Sequence, residues 1–327
     1  MKGGMAMDVN ESWITVFSRK KSGVGEGSPL AYLKKTCCLI PLTLQLLGPA
    51  ATAAPPQFNA TLSQGFIDNT GQAERTRDII DDNFTELELG VGYQFEMFQG
   101  RLETSARGFV AAMEQYQVEG LSRIGGGGTL GLNWRLTNSP LPPTLRVALR
   151  FETEDYDFQQ RDSDIYTGSI EFGMNFGPRT VVSVGGKYRD RRARSEVFDI
   201  NQWSGFLSAD VDIGLSWNLS LRAEHIDGDV WSTVQTAPPN GPPVDDIFNL
   251  IAASIVLQRD DAFNDALAGE WFVYRLPAER QEYSLNLTRN LGERFKLNFE
   301  WLEVRVHGAL DNDYDNRVLQ ASLGFQF

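Results

Sequence analysis

This chain of 327 residues has almost no cysteine, almost no histidine and no long apolar run. Its two cysteines, Cys37 and Cys38, sit at the start of one apolar segment. The chain beyond them therefore has no thiol for a disulfide or a thiolate metal site. That segment, Thr36 to Ala50, is the longest apolar run, and a spanning helix needs about 20 such residues. With a mean hydropathy of −0.28, a multi-helix membrane protein is excluded. Basic residues are also short: 30 Lys and Arg stand against 43 Asp and Glu, a net charge of −13. Nucleic-acid binding wants a basic footprint, so no nucleic-acid partner is expected.

The apolar segment has a clear meaning in context. Lys34 and Lys35 precede it, and Ala51-Thr52-Ala53 follows it. Positive region, apolar region and small-residue exit make a secretory signal peptide, cleaved before Ala54. A lipoprotein would need a cysteine at that exit. The residues ahead of Leu33 are unusual in front of a signal. They read as an extension from a start codon set too far upstream, the alternative being one long signal peptide. The expected organisation is residues 1–53 removed and residues 54–327 forming one domain. Residues 1–53 hold six Lys/Arg and three Asp/Glu, so the remainder has 24 against 40, a net of −16.

What fills that remainder is alternation. In "FTELELGVGYQFEM", Leu87, Leu89, Val91, Tyr93 and Phe95 share one face, and Glu86, Glu88, Gly90, Gln94 and Glu96 the other. "TLRVALRFETE", "IYTGSIEFGMNF", "GFLSADVDIGLSW" and "VLQASLGFQF" repeat the pattern. Period-two patterning marks strands with two unlike faces. These segments are about 10–13 residues long, whereas soluble strands average about 5–6. A tilted strand of about 9–11 residues crosses a bilayer. Connections alternate as well. Tight ones fall at Gln99, Gly177, Trp217 and Gly292, and longer polar ones at 70–83, 157–164, 192–201 and 307–316. Short turns at one end and long loops at the other is the layout of an outer-membrane barrel. Aromatics near strand ends, among them Trp134, Tyr166, Trp217, Phe295 and Phe325, read as interfacial girdles.

The fold expected is therefore an all-β transmembrane antiparallel up-and-down β-barrel. Twelve strands are plain. The stretch 230–281 adds two more or forms a long folded loop with a helix; fourteen fits the length slightly better, with twelve the alternative. The chain resembles bacterial outer-membrane porin-like barrels, the putative β-barrel porin families in particular. The resemblance rests on pattern over the whole of residues 54–327, not on a motif. It implies a bacterial outer-membrane location, with lipid and lipopolysaccharide around the barrel and the barrel-assembly machinery as a partner. Leu323, Phe325 and Phe327 match the aromatic-ended pattern that resembles the signal read by that machinery.

Charges on the polar face cannot point at lipid, where an Arg or Lys at midplane costs about 2–4 kcal/mol. Glu86, Glu88, Arg101, Arg107, Arg146, Arg150 and Glu152 are expected to line the lumen. So are Lys187, Arg189, Asp210, Asp212, Arg222 and Glu224. The function expected is passive, non-enzymatic passage of small polar solutes or saccharides, with no cofactor and no metal. The alternative is a plugged barrel serving as a surface adhesin, assembly or polysaccharide-export accessory. The net negative charge predicts cation preference, unless Arg146, Arg150 and Arg189 form a basic ladder on one wall that takes anionic sugars. Other motifs are weak. His225 has Asp227 where outer-membrane lipid hydrolases place a serine. The "IGGGGTLG" stretch lacks the Lys-Ser/Thr of a phosphate loop. "DNDYDN" spaces carboxylates as calcium loops do, but Ser322 stands where the closing glutamate belongs.

Overall fold

The alternating segments form β1 (Thr52–Ala53), β2 (Gln57–Ile67), β3 (Asp82–Met97), β4 (Leu102–Gln115), β5 (Arg123–Arg135), β6 (Thr144–Tyr156) and β7 (Ser163–Asn175). They continue as β8 (Thr180–Ala193), β9 (Ile200–Gly214), β10 (Trp217–Ala237), β11 (Val256–Arg259), helix α1 (Asp261–Ala266), β12 (Glu270–Leu291), β13 (Phe295–Gly308) and β14 (Asp313–Gln326). The computed structural model describes residues 52–53, 55–237, 254–309 and 313–327. All strand pairings are antiparallel, and each barrel strand pairs with its neighbours in turn. β14 returns to β2, from Val318 opposite Ile67 to Gln326 opposite Asn59, so the barrel wall closes on itself. Closure of this kind leaves no unpaired backbone group facing lipid.

Twelve strands make the wall; β1 and β11 are short additions against β3 and β12. The all-β antiparallel barrel stands as expected, with the wall built from the smaller of the two strand numbers. The reason lies in β10 and β12, with 21 and 22 residues. Their outer halves pair with each other well past the ends of their neighbours, Gln235 facing Trp271. The "EWFVYRLP" segment is thus the top of β12 and not a further wall strand. Between the two run β11 and α1, the folded loop with a helix. The "DIFNLI" part of the ambiguous stretch lies outside the described residues.

At one end the connections are tight. Phe98, Gln99 and Gly100 take positive φ values of 53, 59 and 79°, and Leu215 and Ser216 take 52 and 66° beside Gly214. Such conformations suit two- and three-residue hairpins. The second turn sits just ahead of Trp217, which begins β10. At the other end four loops each carry one 3-10 turn, at Thr76–Asp78, Glu119–Leu121, Gln159–Arg161 and Glu196–Phe198. Acceptors tie these loops to the strand ends. Asp162 takes the Tyr156 amide at 2.9 Å, and Asp199 takes the Ala193 amide at 2.7 Å. Asp82 accepts from the amides of Tyr116, Gln117 and Val118.

The outer face is apolar and bare. Leu149, Val184 and Ile170 are 60, 55 and 54% exposed, in a belt with Leu89, Leu130, Leu207, Leu285 and Leu323. A soluble monomer does not leave so continuous a patch uncovered. Aromatic pairs stand toward the two rims: Phe151–Tyr166 and Tyr188–Trp203 at 5.2 and 4.5 Å on the loop side, Phe295–Phe325 at 4.8 Å on the turn side.

Candidate functional site

The polar face is the concave one. Lys187 Nζ reaches Glu224 at 2.6 Å over the intervening β9, and Arg191 reaches Glu154 at 3.5 Å over β7. Side chains two strands apart converge like this only inside a curved sheet. Register then places the expected lumen residues. Glu86 and Glu88 stand on β3, Arg107 on β4, Arg146, Arg150 and Glu152 on β6, Lys187 and Arg189 on β8. Asp210 and Asp212 lie on β9 beside Ser220 and Asn218, with Arg222 and Glu224 on β10 opposite Ser208 and Phe206. All share the face opposite the bare apolar belt. Arg101 differs: it precedes β4 in the turn, where its Nη2 donates to the Leu136 carbonyl at 3.3 Å. It clamps two neighbouring turns and is not a wall residue. Asp212 sits at the same rim, accepting from the Gly214 amide at 2.8 Å.

Most inner charges are paired. Arg146 meets Glu171 at 3.0 Å, Arg150 meets Glu152 at 2.9 Å, Arg222 meets Glu224 at 2.7 Å, and Arg107 meets Glu88. The expected lumen set left out Arg123, Glu154, Arg191, Arg280 and Glu282, which share this face, and Glu171, whose place on the polar face of its strand the pattern already gives. Alternation would have found them, since they continue the same strands by steps of two. Two inner aromatics carry guanidinium groups: Arg150 stacks over Phe109 at 4.5 Å and Arg222 over Phe206 at 3.6 Å. Toward the turn side a cavity of about 600 Å³ opens, lined by Asn59, Gln94, Ser105, Arg107, Thr129, Ala148, Arg150, Thr167 and Ser169.

The loop side is covered. The tops of β10 and β12, with β11 and α1, lean onto the other loops and bury three apolar clusters. Val118, Leu121, Ala262, Phe263 and Trp271 form one, and Val197, Phe198 and Val273 another. A third runs from Val230 and Tyr274 to Val306 and Tyr314. At the centre of this cap, Arg161 Nη2 meets Asp260 Oδ2 at 2.6 Å, with side chains 4 and 1% exposed. The guanidinium also lies 4.2 Å from the Phe198 ring and 4.8 Å from that of Trp231. Burial lowers its pKa from the ordinary value, and Asp260 opposes the fall. Gln160 donates to Asp261 at 2.7 Å, and the Thr233 amide and hydroxyl both donate to the Gly71 carbonyl. His225 faces outward between Gly205 and Gln281, and His307 stands 3.3 Å from Asp313 at the rim.

A closed barrel with a bare apolar belt, a charged interior and loops folded over one mouth has the architecture of bacterial outer-membrane channels. One solved structure supports the fold, and others are more distantly similar. An outer-membrane channel from Pseudomonas putida F1 superposes with a TM-score of 0.52 at 11% identity, covering 86% of this chain and 99% of that one. The channel DcaP of Acinetobacter baumannii gives 0.41 at 7% identity over 86 and 99% of the two chains. An anion-selective porin from Comamonas acidovorans gives 0.39 at 9% over 85 and 100%. No family model matches the sequence, and no curated protein matches it.

Proposed function

We propose that this chain is a passive, non-enzymatic channel of the bacterial outer membrane for small polar solutes, saccharides among them. The observation that carries the reading is the continuous polar inner wall around the 600 Å³ cavity inside a closed barrel. At twelve strands the interior exceeds what wall side chains alone fill. Residues 1–53 act as the cleaved export signal, and lipid and lipopolysaccharide surround the apolar belt. Cleavage before Ala54 would remove β1 and leave the β2–β14 seam intact. The second reading, a plugged barrel whose loops do the work, draws its support from the cap. Conductance in planar bilayers separates the two. Ion-conducting steps are expected from the purified barrel; silence from both this protein and a cap-loosened variant would remove the channel reading.

The seam carries the assembly proposal. The Phe327 amide donates to the Phe58 carbonyl at 2.9 Å, and its ring meets Phe325 edge-on at 4.4 Å. Phe327→Ala is expected to lower the amount of folded, heat-modifiable barrel in outer-membrane fractions while export continues. Unchanged migration and yield on gels would remove the assembly role of Leu323, Phe325 and Phe327.

A further inference from the structure

The strand register lines up residues that no local pattern joins. Arg107 pairs with Thr129, Thr129 with Arg150, Arg150 with Thr167, and Thr167 with Arg189. The result is one row, Arg-Thr-Arg-Thr-Arg, along the hydrogen-bond direction of β4 to β8, all on the inner face. Arginines two strands apart stand roughly 10 Å from each other, since neighbouring strands are about 4.8 Å apart. Strands in a barrel tilt by roughly 35–45° from the axis, so a row perpendicular to them climbs. Arg107 is just on the turn side of the middle of β4, Arg150 is at the middle of β6, and Arg189 is nearer the loop end of β8. The row is a staircase from the cavity to the underside of the cap.

We infer that this staircase is a binding path for small hydroxylated anions such as sugar acids. The inference rests on the channel reading and names its solute class. Three features point to it. The cavity follows the row over its first four members, Arg107, Thr129, Arg150 and Thr167, and Arg189 stands next in register beyond it. The neighbouring row on the turn side is small and uncharged from β4 to β7, with Ser105, Gly131, Ala148 and Ser169, and ends at β8 on Lys187, which is held by Glu224. That leaves the guanidinium edges uncrowded from below, while Phe109 and Glu152 back Arg150 from above. Finally, donors are unused at the top of the row, whereas Arg107 and Arg150 are held by Glu88 and Glu152. Arg189 makes no ion pair or hydrogen bond with the described residues. The Thr129 and Thr167 hydroxyls are equally free. Planar guanidinium groups recognise carboxylates in bidentate fashion, and threonines between them suit the hydroxyls of the same solute. Gly90 makes room for the lowest step; a Cβ there would lie 3.2 Å from Arg107 Nε. With Arg107 and Arg150 neutralised by Glu88 and Glu152, Arg189 gives the row one unpaired positive charge in a chain of −13 net charge.

Reversal potentials in planar bilayers under a KCl gradient test this, followed by titration with potassium gluconate and with glucose. Wild-type barrel is expected to prefer chloride over potassium, and gluconate is expected to block at lower concentration than glucose. Arg189→Ala should lower the anion-to-cation permeability ratio by on the order of tenfold, with Arg189→Lys recovering part of the ratio but little of the gluconate block. Cation preference in the wild type, or an unchanged ratio and block in Arg189→Ala, would overturn the staircase and leave a channel of another selectivity. If the wild type and the cap-loosened Asp260→Ala are both silent, the channel reading falls. Calorimetry on the detergent-solubilised barrel then decides the staircase alone: gluconate binding weakened in Arg189→Ala supports it, and no binding overturns it.

Discussion

Replacing Asp260 with alanine is expected to open the loop-side mouth. Arg161 would remain under the cap as a buried charge without its partner, and removal of one member of such a pair costs about 3–5 kcal/mol. The fully folded barrel wall does not share that cost, because Asp260 belongs to the segment joining β11 to α1 and Arg161 to the loop after β6. The strain falls on the docking between them. A change of that size multiplies the undocked population by about a hundred to a few thousand. Single-channel conductance should rise, and proteinase K should cut the cap of intact cells at low enzyme concentrations. Gly120→Val should act the same way from a third segment, the loop between β4 and β5, since a Cβ on Gly120 would lie 2.5 Å from the Phe158 ring and 2.8 Å from Ala262 Cβ.

The cause can be isolated with an apolar pair. Arg161→Met combined with Asp260→Val removes both charges at a similar total volume, and buried ion pairs replaced in this way often lose nothing. The double variant is expected to close again, with conductance and protease resistance near the wild type. Equal conductance and resistance in wild type and Asp260→Ala would show that the apolar clusters hold the cap without the ion pair. A double variant as open as the single one would place the effect in packing around Phe198 and Trp231 and not in the unpaired charge.

The two faces of each strand were legible from alternation because lipid and water demand opposite chemistry at every second residue. Arg107, Arg150 and Arg189 could each be assigned inward on that basis. What alternation does not contain is how far one strand slides along the next. A basic ladder of Arg146, Arg150 and Arg189 could be raised from the sequence, but four successive pairings were needed to put Arg107 in the row and to leave Arg146 out, opposite Asn133 and Glu171. The cap was illegible for a different reason. Val230, Val234, Tyr274 and Leu276 continue the same period as the wall but turn their apolar side into a cluster above it. Period alone cannot distinguish a strand in lipid from one that outgrows its neighbours, and this is why fourteen wall strands looked as good as twelve. The pairing of Arg161 with Asp260 spans 99 positions and leaves no local signature at either one.

Leu149→Arg should be far more damaging than Ala148→Arg, although the two residues are adjacent. Leu149 lies at the middle of β6, pairs with Leu130 and Gly168, and is 60% exposed on the apolar belt. A guanidinium there meets hydrocarbon, at a cost of about 2–4 kcal/mol near midplane. Its long stem has no nearby rim to reach, and Tyr166 and Leu132 on the same face offer no carboxylate. Ala148 pairs with Gly131 and Ser169 and lines the cavity. An arginine there enters a water-filled space beside Arg146 and Arg150, whose carboxylates Glu171 and Glu152 remain in place. Folded yield should be close to wild type in Ala148→Arg and strongly reduced in Leu149→Arg, read as the heat-modifiable band after refolding into lipid vesicles. Ala148→Arg should also narrow the cavity and lower conductance without lowering anion preference, because it adds a cation beside the staircase. Equal folded yields would mean that the belt is not in lipid. The reverse order would place the register of β6 one residue away, turning Arg146 and Arg150 outward with it.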